Sequence, residues 1–453
     1  VSTEPARLDA LGVRGPLRTV RTADVSDVDG SVLARLSVAP ALSVKQNLKA
    51  LRRAQPLPRA GRIAALAAAG ELFTGTVDGV TLDEHERLVC RASGVALPVV
   101  RAASRAIANS AACAGDAVEK ARPVSSAQDW RNVRDEGAVW VRRAEVLAVL
   151  APGNHPGTHT PWLEALALGY RVAVRPSQRE PFTPHRLVSA LRASGFGDDQ
   201  VVLLPTDHAT AGTLADAADL ALVYGGDDIV AKYDTRGDVL VQGPGRSKIL
   251  LTADDDWRDH VDTIVDSVCG FGGTACVNAS AVFVEGDAAA VAQELARRLG
   301  EIPVRPPLDE AAVLPAFPLD RAKAIEARLN SELPHAQLIS GEDLVVELEG
   351  GGAVLRPAVA LLDRATAPQA RIELPFPCVW VVPWSRSDGT GPLRNTLTLT
   401  AFTTDPGLLT ELAGDGSISN LHIGDHPTHH MRPGLPHDGH LAEFLMKSKS
   451  VLR

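Results

Sequence analysis

The spacing of apolar residues changes twice along the chain. Up to about Pro123 they recur every three or four positions, as in Arg62-Ile63-Ala64-Ala65-Leu66 through Leu72-Phe73, so helices are predicted to dominate this stretch. Residues 137–143 then read as extended. They lead into residues 145–153, a continuous apolar run ending in a Pro-Gly turn, which is the pattern of a strand buried on both faces. Beyond it, strand-like runs at 171–175, 201–204 and 220–224 alternate with helical stretches at 160–168, 184–193 and 209–217. That alternation predicts βαβ units and a mostly parallel sheet. A second αβ series starts near Lys248. It has a helix around 260–268, a Gly-rich loop at 270–273, a strand at 281–284, helices at 288–299 and 322–329, and extended segments at 353–362, 379–382 and 396–403. Ligands of such sheets bind beyond the carboxyl ends of the strands. The loops beginning at Ala151, Pro176 and Gly225 are therefore the predicted places for chemistry.

The chain has 453 residues, 45% of them hydrophobic, enough for two or three globular domains. A net charge of -9 argues against nucleic acid as the main partner. No apolar run approaches the ~20 residues of a membrane helix, and Val1 to Pro5 lack the basic-then-apolar pattern of a signal peptide. No membrane partner and a cytoplasmic location are expected. The five cysteines, Cys90, Cys113, Cys269, Cys276 and Cys378, are odd in number and scattered. This suggests neither a disulfide framework nor a zinc site, and fits a reducing compartment. The histidine-rich run from His422 to His430 lacks converging partners, so no metal is expected.

Gly272-Gly273-Thr274-Ala275-Cys276 is the most informative stretch. A cysteine after a flexible Gly-rich loop can sit at the bottom of a cleft among backbone N–H groups, which lower its pKa and expose the thiolate. The plain alternative is a small buried cysteine beside a strand. In Pro152-Gly153-Asn154-His155-Pro156, the Asn154 amide can donate to an oxyanion. The alternative there is an asparagine that only shapes a Pro/Gly turn.

Five stations in order carry a resemblance: Pro152 to Pro156, the strand ending in Arg175-Pro176-Ser177, Gly225-Gly226, Gln242 to Lys248, and Gly272 to Cys276. Together they resemble the aldehyde dehydrogenase superfamily over nearly the whole chain. Members carry a Pro-x-Asn-x-Pro turn, strands ending in Lys-Pro-Ser and Thr-Gly-Ser, a Glu-Leu-Gly-Gly-Lys segment, and the catalytic cysteine in a Gly-Gln-x-Cys context. The resemblance implies an α/β fold with a Rossmann-type cofactor domain, an α/β catalytic domain and a small oligomerisation element. Residues 1–245 would bind NAD(P), with 131–148 as an oligomerisation strand. Residues 246–435 would form the catalytic domain and 436–453 an oligomerisation tail, giving a homodimer or homotetramer.

Carried over residue by residue, the resemblance makes Cys276 the nucleophile and Asn154, with the Cys276 N–H, the oxyanion hole. Pro152, Gln242 and Gly243 fall on the cofactor side. Arg175 and Ser177 would lie near the adenosine ribose, Gly225 and Gly226 at the pyrophosphate turn that opens a helix, and Phe376 near the nicotinamide ribose. The family's glutamate two residues before that phenylalanine is Leu374 here, with Glu373 one residue off. Pro436-His437-Asp438-Gly439-His440 stands where the family has a Pro-Phe-Gly-Gly turn.

Two departures shape the expected function. Gln242 replaces the glutamate that activates the hydrolytic water, and an amide is no general base near neutral pH. This points to the acylating members, in which a thiol such as coenzyme A or a carrier protein takes or delivers the acyl group. Reduction of an acyl thioester to an aldehyde, or the reverse, is expected. Oxidation of an aldehyde to an acid, with another carboxylate as base, is the alternative, and a catalytically silent nucleotide-binding member is a further one. At the position of the ribose-clasping glutamate stands Gln178, flanked by Arg179. Without that carboxylate a 2′-phosphate is tolerated, so NADP(H) is expected over NAD(H).

Overall fold

In Val146–Leu150, Leu147 and Val149 enter a core formed with helices Arg59–Phe73, Trp162–Leu168 and Phe182–Ala193. Val146 and Ala148 enter a second core, on the opposite face, against helix Ala41–Arg53. A sheet covered on both faces leaves no polar side, so its strands read as unbroken apolar runs. The structure is a computed structural model that describes residues 5–341 and 343–453.

Five parallel strands form the centre of the first sheet, in the spatial order Val239–Gln242, Leu220–Tyr224, Val146–Leu150, Arg171–Arg175 and Val201–Leu203. From Val146–Leu150 the chain builds toward one edge, then returns to place Leu220–Tyr224 on the other side. The strand order thus reverses between Val146–Leu150 and Leu220–Tyr224, where the carboxyl ends leave a crevice. The chain leaves this sheet at Gln242 and enters the second at Ser247.

The second sheet runs Ala336–Ser340, Ala358–Leu362, Cys378–Pro383, Ala279–Val284, Ser247–Leu251, Thr396–Phe402, Ile418–Ile423. It is parallel apart from Ala336–Ser340. Its faces alternate in the same way, with Leu250 and Phe283 in one core and Ile249, Val282 and Val284 in the other. These two units give an α/β fold of the kind the resemblance implies. Among the described residues no helix is long and apolar enough to cross a membrane.

The structure departs from the periodicity reading in three places. Residues 5–37 hold five short strands rather than helices. Ala10–Gly12 and Gly15–Leu17 extend the first sheet, and Ala6–Leu8, Thr22–Ser26 and Val32–Ser37 form a separate one. Segment 353–362 is two strands in different sheets, Ala353–Leu355 and Ala358–Leu362, parted at Arg356-Pro357, where proline supplies no N–H. Residues 131–148 divide as well. Glu136–Arg142 pairs with the tail strand Met446–Leu452 in a small three-stranded sheet, whereas Val146 already belongs to the first sheet.

Candidate active site

The crevice continues into a cavity of about 690 Å³ between the two units. Its wall takes Pro152 and Asn154 from the loop after Val146–Leu150, Gly225 and Gly226 from the end of Leu220–Tyr224, and Gln242 and Gly243 from the crossing segment. The second unit contributes Cys276, Glu373, Leu374 and His437.

Cys276 is delivered by a loop between helix Val261–Cys269 and strand Ala279–Val284. Phe271, Gly272 and Gly273 have φ of 53°, 72° and 65° in succession. Gly273 is constrained twice, because a Cβ there would also lie 2.6 Å from the Pro377 nitrogen. Asn278 fastens the loop. Its Oδ1 accepts from the Ala275 N–H at 3.0 Å, and its Nδ2 donates to the carbonyls of Gly270 at 2.6 Å and Ser267 at 3.1 Å. From the other side, Gly245 lies so close that a Cβ would overlap the Cys276 carbonyl at 1.8 Å. The Ser247 hydroxyl donates to that same carbonyl at 3.0 Å. The nucleophile candidate is thereby held to both the crossing segment and the second sheet.

The thiol itself is not activated in the way the sequence suggested. Burial pushes Cys276 up to about 12, and the nearby Glu373 carboxylate adds to the effect. The Glu373 carboxyl is itself raised by burial, and it accepts a hydrogen bond from the Arg246 backbone N–H. The group in reach of the sulfur is His437, whose Nε2 lies 3.9 Å from Sγ. The resemblance sets a Pro-Phe-Gly-Gly turn at this place and implies no role for His437.

Asn154 donates through Nδ2 to the Thr274 carbonyl at 2.9 Å, two residues before Cys276. A carboxamide has two N–H donors, so the contact orients the amide and leaves one donor uncommitted. Gln242 reaches the cavity wall at the end of its strand, and no carboxylate occupies that position.

The adenosine-side candidates lie apart from this wall, after Arg171–Arg175. The Arg175 guanidinium is within 3.4 Å of the Thr206 carbonyl, and its buried Nε finds no acceptor among the described residues. That orphaned donor is the feature here that best fits a bound dinucleotide. The Ser177 hydroxyl accepts from the Arg179 N–H at 3.2 Å. Gln178 is half-buried beside it.

Three cofactor expectations need revision. Arg179 does not flank the ribose site as a free cation: its guanidinium donates to the Ser93 carbonyl and packs 6.0 Å from the Phe317 ring. The helix opened by Gly225-Gly226, Asp227–Tyr233, has seven residues, with Asp227 and Asp228 in its first turn. Their charge opposes an anion at that end, although Arg246 pairs with Asp227 at 2.6 Å. Phe376 is buried with Trp380 in the core of the second unit, so Leu374 and Pro375 form the cavity wall there.

The sequence profile of the aldehyde dehydrogenase family matches residues 18–441. A malonate-semialdehyde dehydrogenase of Geobacillus kaustophilus is 28% identical over 167 residues, and one of Bacillus mycoides 28% over 165. Each match covers 34% of this chain and only about a third of the relative, 34% and 33% respectively. Solved structures agree along the full length. An indole-3-acetaldehyde dehydrogenase complexed with NAD+ superposes with a TM-score of 0.84 at 18% identity, covering 100% of this chain and 97% of its own. An NADP dependent enzyme of E. coli gives 0.83 at 17%, covering 98% of each. With a profile that runs from the first sheet's edge to the helix before the tail strand, and a fold shared end to end, this chain belongs to the aldehyde dehydrogenase family.

Proposed function

We propose that the chain interconverts an acyl thioester and an aldehyde with NADP(H), through a thioacyl group on Cys276. One observation carries the reading: the position that would activate a hydrolytic water is Gln242, on the cavity wall. A carboxamide cannot take the proton of water near neutral pH. A thioacyl-enzyme here therefore persists until a thiol, of coenzyme A or a carrier protein, accepts the acyl group.

In the reductive direction Cys276 Sγ attacks the thioester carbonyl. The developing oxyanion falls to the uncommitted Asn154 N–H and the Cys276 backbone N–H, donors worth about 3–4 kcal/mol each in comparable sites. The substrate thiol leaves and the acyl group stays on sulfur. The nicotinamide supplies or removes hydride at that carbonyl carbon. Pro152, Gln242 and Gly243 would hold the nicotinamide end, and Arg175, Ser177 and Gln178 the adenosine end. The NADP(H) preference rests on Gln178 and on the orphaned Arg175 Nε, since Arg179 is committed elsewhere.

Oxidation of an aldehyde to a free acid has one observation in its favour, the buried Glu373 carboxyl beside Cys276. Its bond to the Arg246 N–H argues that it is structural. For the small sheet we propose a role in a homodimer or homotetramer, because Val124, Trp130 and Leu452 expose apolar surface on or beside it.

The test is a turnover screen of acyl-coenzyme A thioesters of graded chain length with NADPH and NADH. Aldehyde formation with loss of NADPH absorbance, abolished in Cys276→Ala, is the expected result. Failure with every thioester, together with sustained oxidation of aldehydes to free acids, would overturn the reading.

A further inference from the structure

The mechanism above leaves a proton without a destination. Cys276 is part-buried, desolvation pushes its thiol up to about 12, and the nearby Glu373 carboxylate raises it further. Some group in contact with Sγ has to receive the proton as the sulfur attacks. His437 Nε2, at 3.9 Å, is in contact.

The contact is built into the fold. Residues 436–440 lie between strand Ile418–Ile423 and helix Leu441–Leu445. Asn420 Nδ2 donates to the His437 carbonyl and also, at 2.8 Å, to that of Leu397. One residue on, the Asp438 carboxylate accepts from the Ser419 hydroxyl at 2.8 Å. The loop is thus tied to a strand of the second sheet at His437 itself and at its neighbour. Burial lowers the His437 pKa, and Asp438 opposes this in part. The ring is therefore neutral at pH 7 and, in the tautomer protonated at Nδ1, offers a lone pair at Nε2.

The other groups around the pair do not replace it. Glu373, from the loop before Cys378–Pro383, is held by the Arg246 N–H. Tyr224 on the first sheet has its phenol pushed up by burial and donates to the Thr158 carbonyl at 3.3 Å. The Cys378 thiol is pushed up to about 12. His155 turns its Nδ1 to the Gly157 N–H at 3.0 Å, and His429 lies against Phe271 and Asp266.

The geometry points to His437 as the acid–base partner of Cys276. As the S–C bond forms, the S–H bond breaks and the proton passes to Nε2, while the carbonyl electron pair moves to oxygen. When the pair returns, the substrate C–S bond breaks and the imidazolium gives the proton to the departing sulfur. The sum is acyl exchange between two thiols, with no change of oxidation state and His437 neutral again. The second half of this sequence rests on the thioester reading; the first half does not.

The test separates the two. Alkylation of Cys276 by iodoacetamide, followed by peptide mass mapping to separate it from the other four cysteines, needs neither substrate nor cofactor. An unaided thiol of this pKa would react about tenfold faster per pH unit from about pH 6 to 9. With His437 as acceptor, the rate rises only as the ring loses its proton, then levels off by about pH 7. The expected result is a plateau in the wild type. In His437→Phe and His437→Gln the plateau disappears, with at least ~10²-fold slower labelling at pH 7. In His437→Ala, added imidazole should restore labelling, which shows that the fold has survived. Superimposable pH profiles for wild type and His437→Phe would overturn the proposal. For the second half, thiol release in His437→Phe should be slowed much more with an alkyl thioester than with a phenyl thioester, whose thiolate leaves unaided. Equal slowing of both would contradict a proton donor role while leaving the thioester reading standing.

Discussion

The site turns on a few side chains whose neighbours fix their roles. Cys276→Ala should abolish turnover and leave the fold intact. The nearby Cys269 is packed at the end of its helix in a core, with its thiol pushed up by burial. Cys269→Ala should therefore retain activity and lose only modest stability. The reverse outcome would move the nucleophile. Asn278 makes a sharper case. Asn278→Ala leaves two carbonyls and one N–H of the cysteine loop without their partner, so a loss of about 2–4 kcal/mol in denaturant unfolding is expected. Asn278→Asp keeps the acceptor for Ala275 but sets a carboxylate oxygen against the Gly270 and Ser267 carbonyls, so it should be at least as destabilised as alanine at pH 7. Its catalytic loss should appear in kcat rather than KM, since the sulfur is displaced and not the binding surface. The proposed NADP(H) preference rests on Gln178 and Arg175, and Gln178→Glu should lower kcat/KM with NADPH more than with NADH. Unchanged ratios would leave Arg175 as the sole basis for NADP(H).

At the scale of elements, legibility followed burial. Arg171–Arg175 and Leu220–Tyr224 coincide with the apolar runs that predicted them, because two covering helix layers leave their sequences no polar face. Gly15–Leu17 and Thr22–Ser26 were invisible for the converse reason. They are short, lie at sheet edges and carry polar or turn-forming residues. Of the site, Cys276, Asn154 and Gln242 were legible from ordered turns along the chain, and the fold brings them to one wall. His437 was not, since no local pattern links it to a sulfur 161 positions earlier and the tethers from Ser419 and Asn420 place it there. Arg179 misled because an arginine beside a ribose position gives no sign of the distant Ser93 carbonyl that it serves. The tail strand Met446–Leu452 shows four exposed positions in succession and forms an edge of the small sheet. Edge strands are ready templates for pairing. Deleting residues 446–453 should convert an oligomer to monomer by light scattering. An unchanged mass would place the subunit contact elsewhere.

For the whole molecule, buried ionisable groups set how stability follows pH. Burial holds His85 and His159 down at about 3 and His155 at about 4. The unfolded chain protonates these below about 6.5 and the folded chain does not, so stability is lost as pH falls from about 6.5 toward 4. Glu164 and Glu180 are pushed up to about 7 by burial. They keep a proton in the folded chain that the unfolded chain releases above about 4.5, so their contribution falls as pH rises from about 4.5 to 7. Glu180→Gln keeps the acceptor that takes the Thr183 N–H at 2.8 Å. It should raise Tm over wild type more at pH 8 than at pH 5. An equal shift at both values would mean that the carboxyl is ionised throughout.

The cavity between the two units joins these scales, because it brings together Cys276, the proposed nucleophile, Asn154, the proposed oxyanion donor, and Gln242, the amide where hydrolysis would need a base. Product analysis with aldehyde and oxidised cofactor, in the absence of any thiol, tests this most directly. The account predicts a burst of about one equivalent of reduced cofactor per site and then a stall, since a positioned base is worth ~10²–10⁴-fold. Added thiol acceptor should restart turnover and yield a thioester. Sustained, rapid release of free acid by the wild type without thiol would contradict the account.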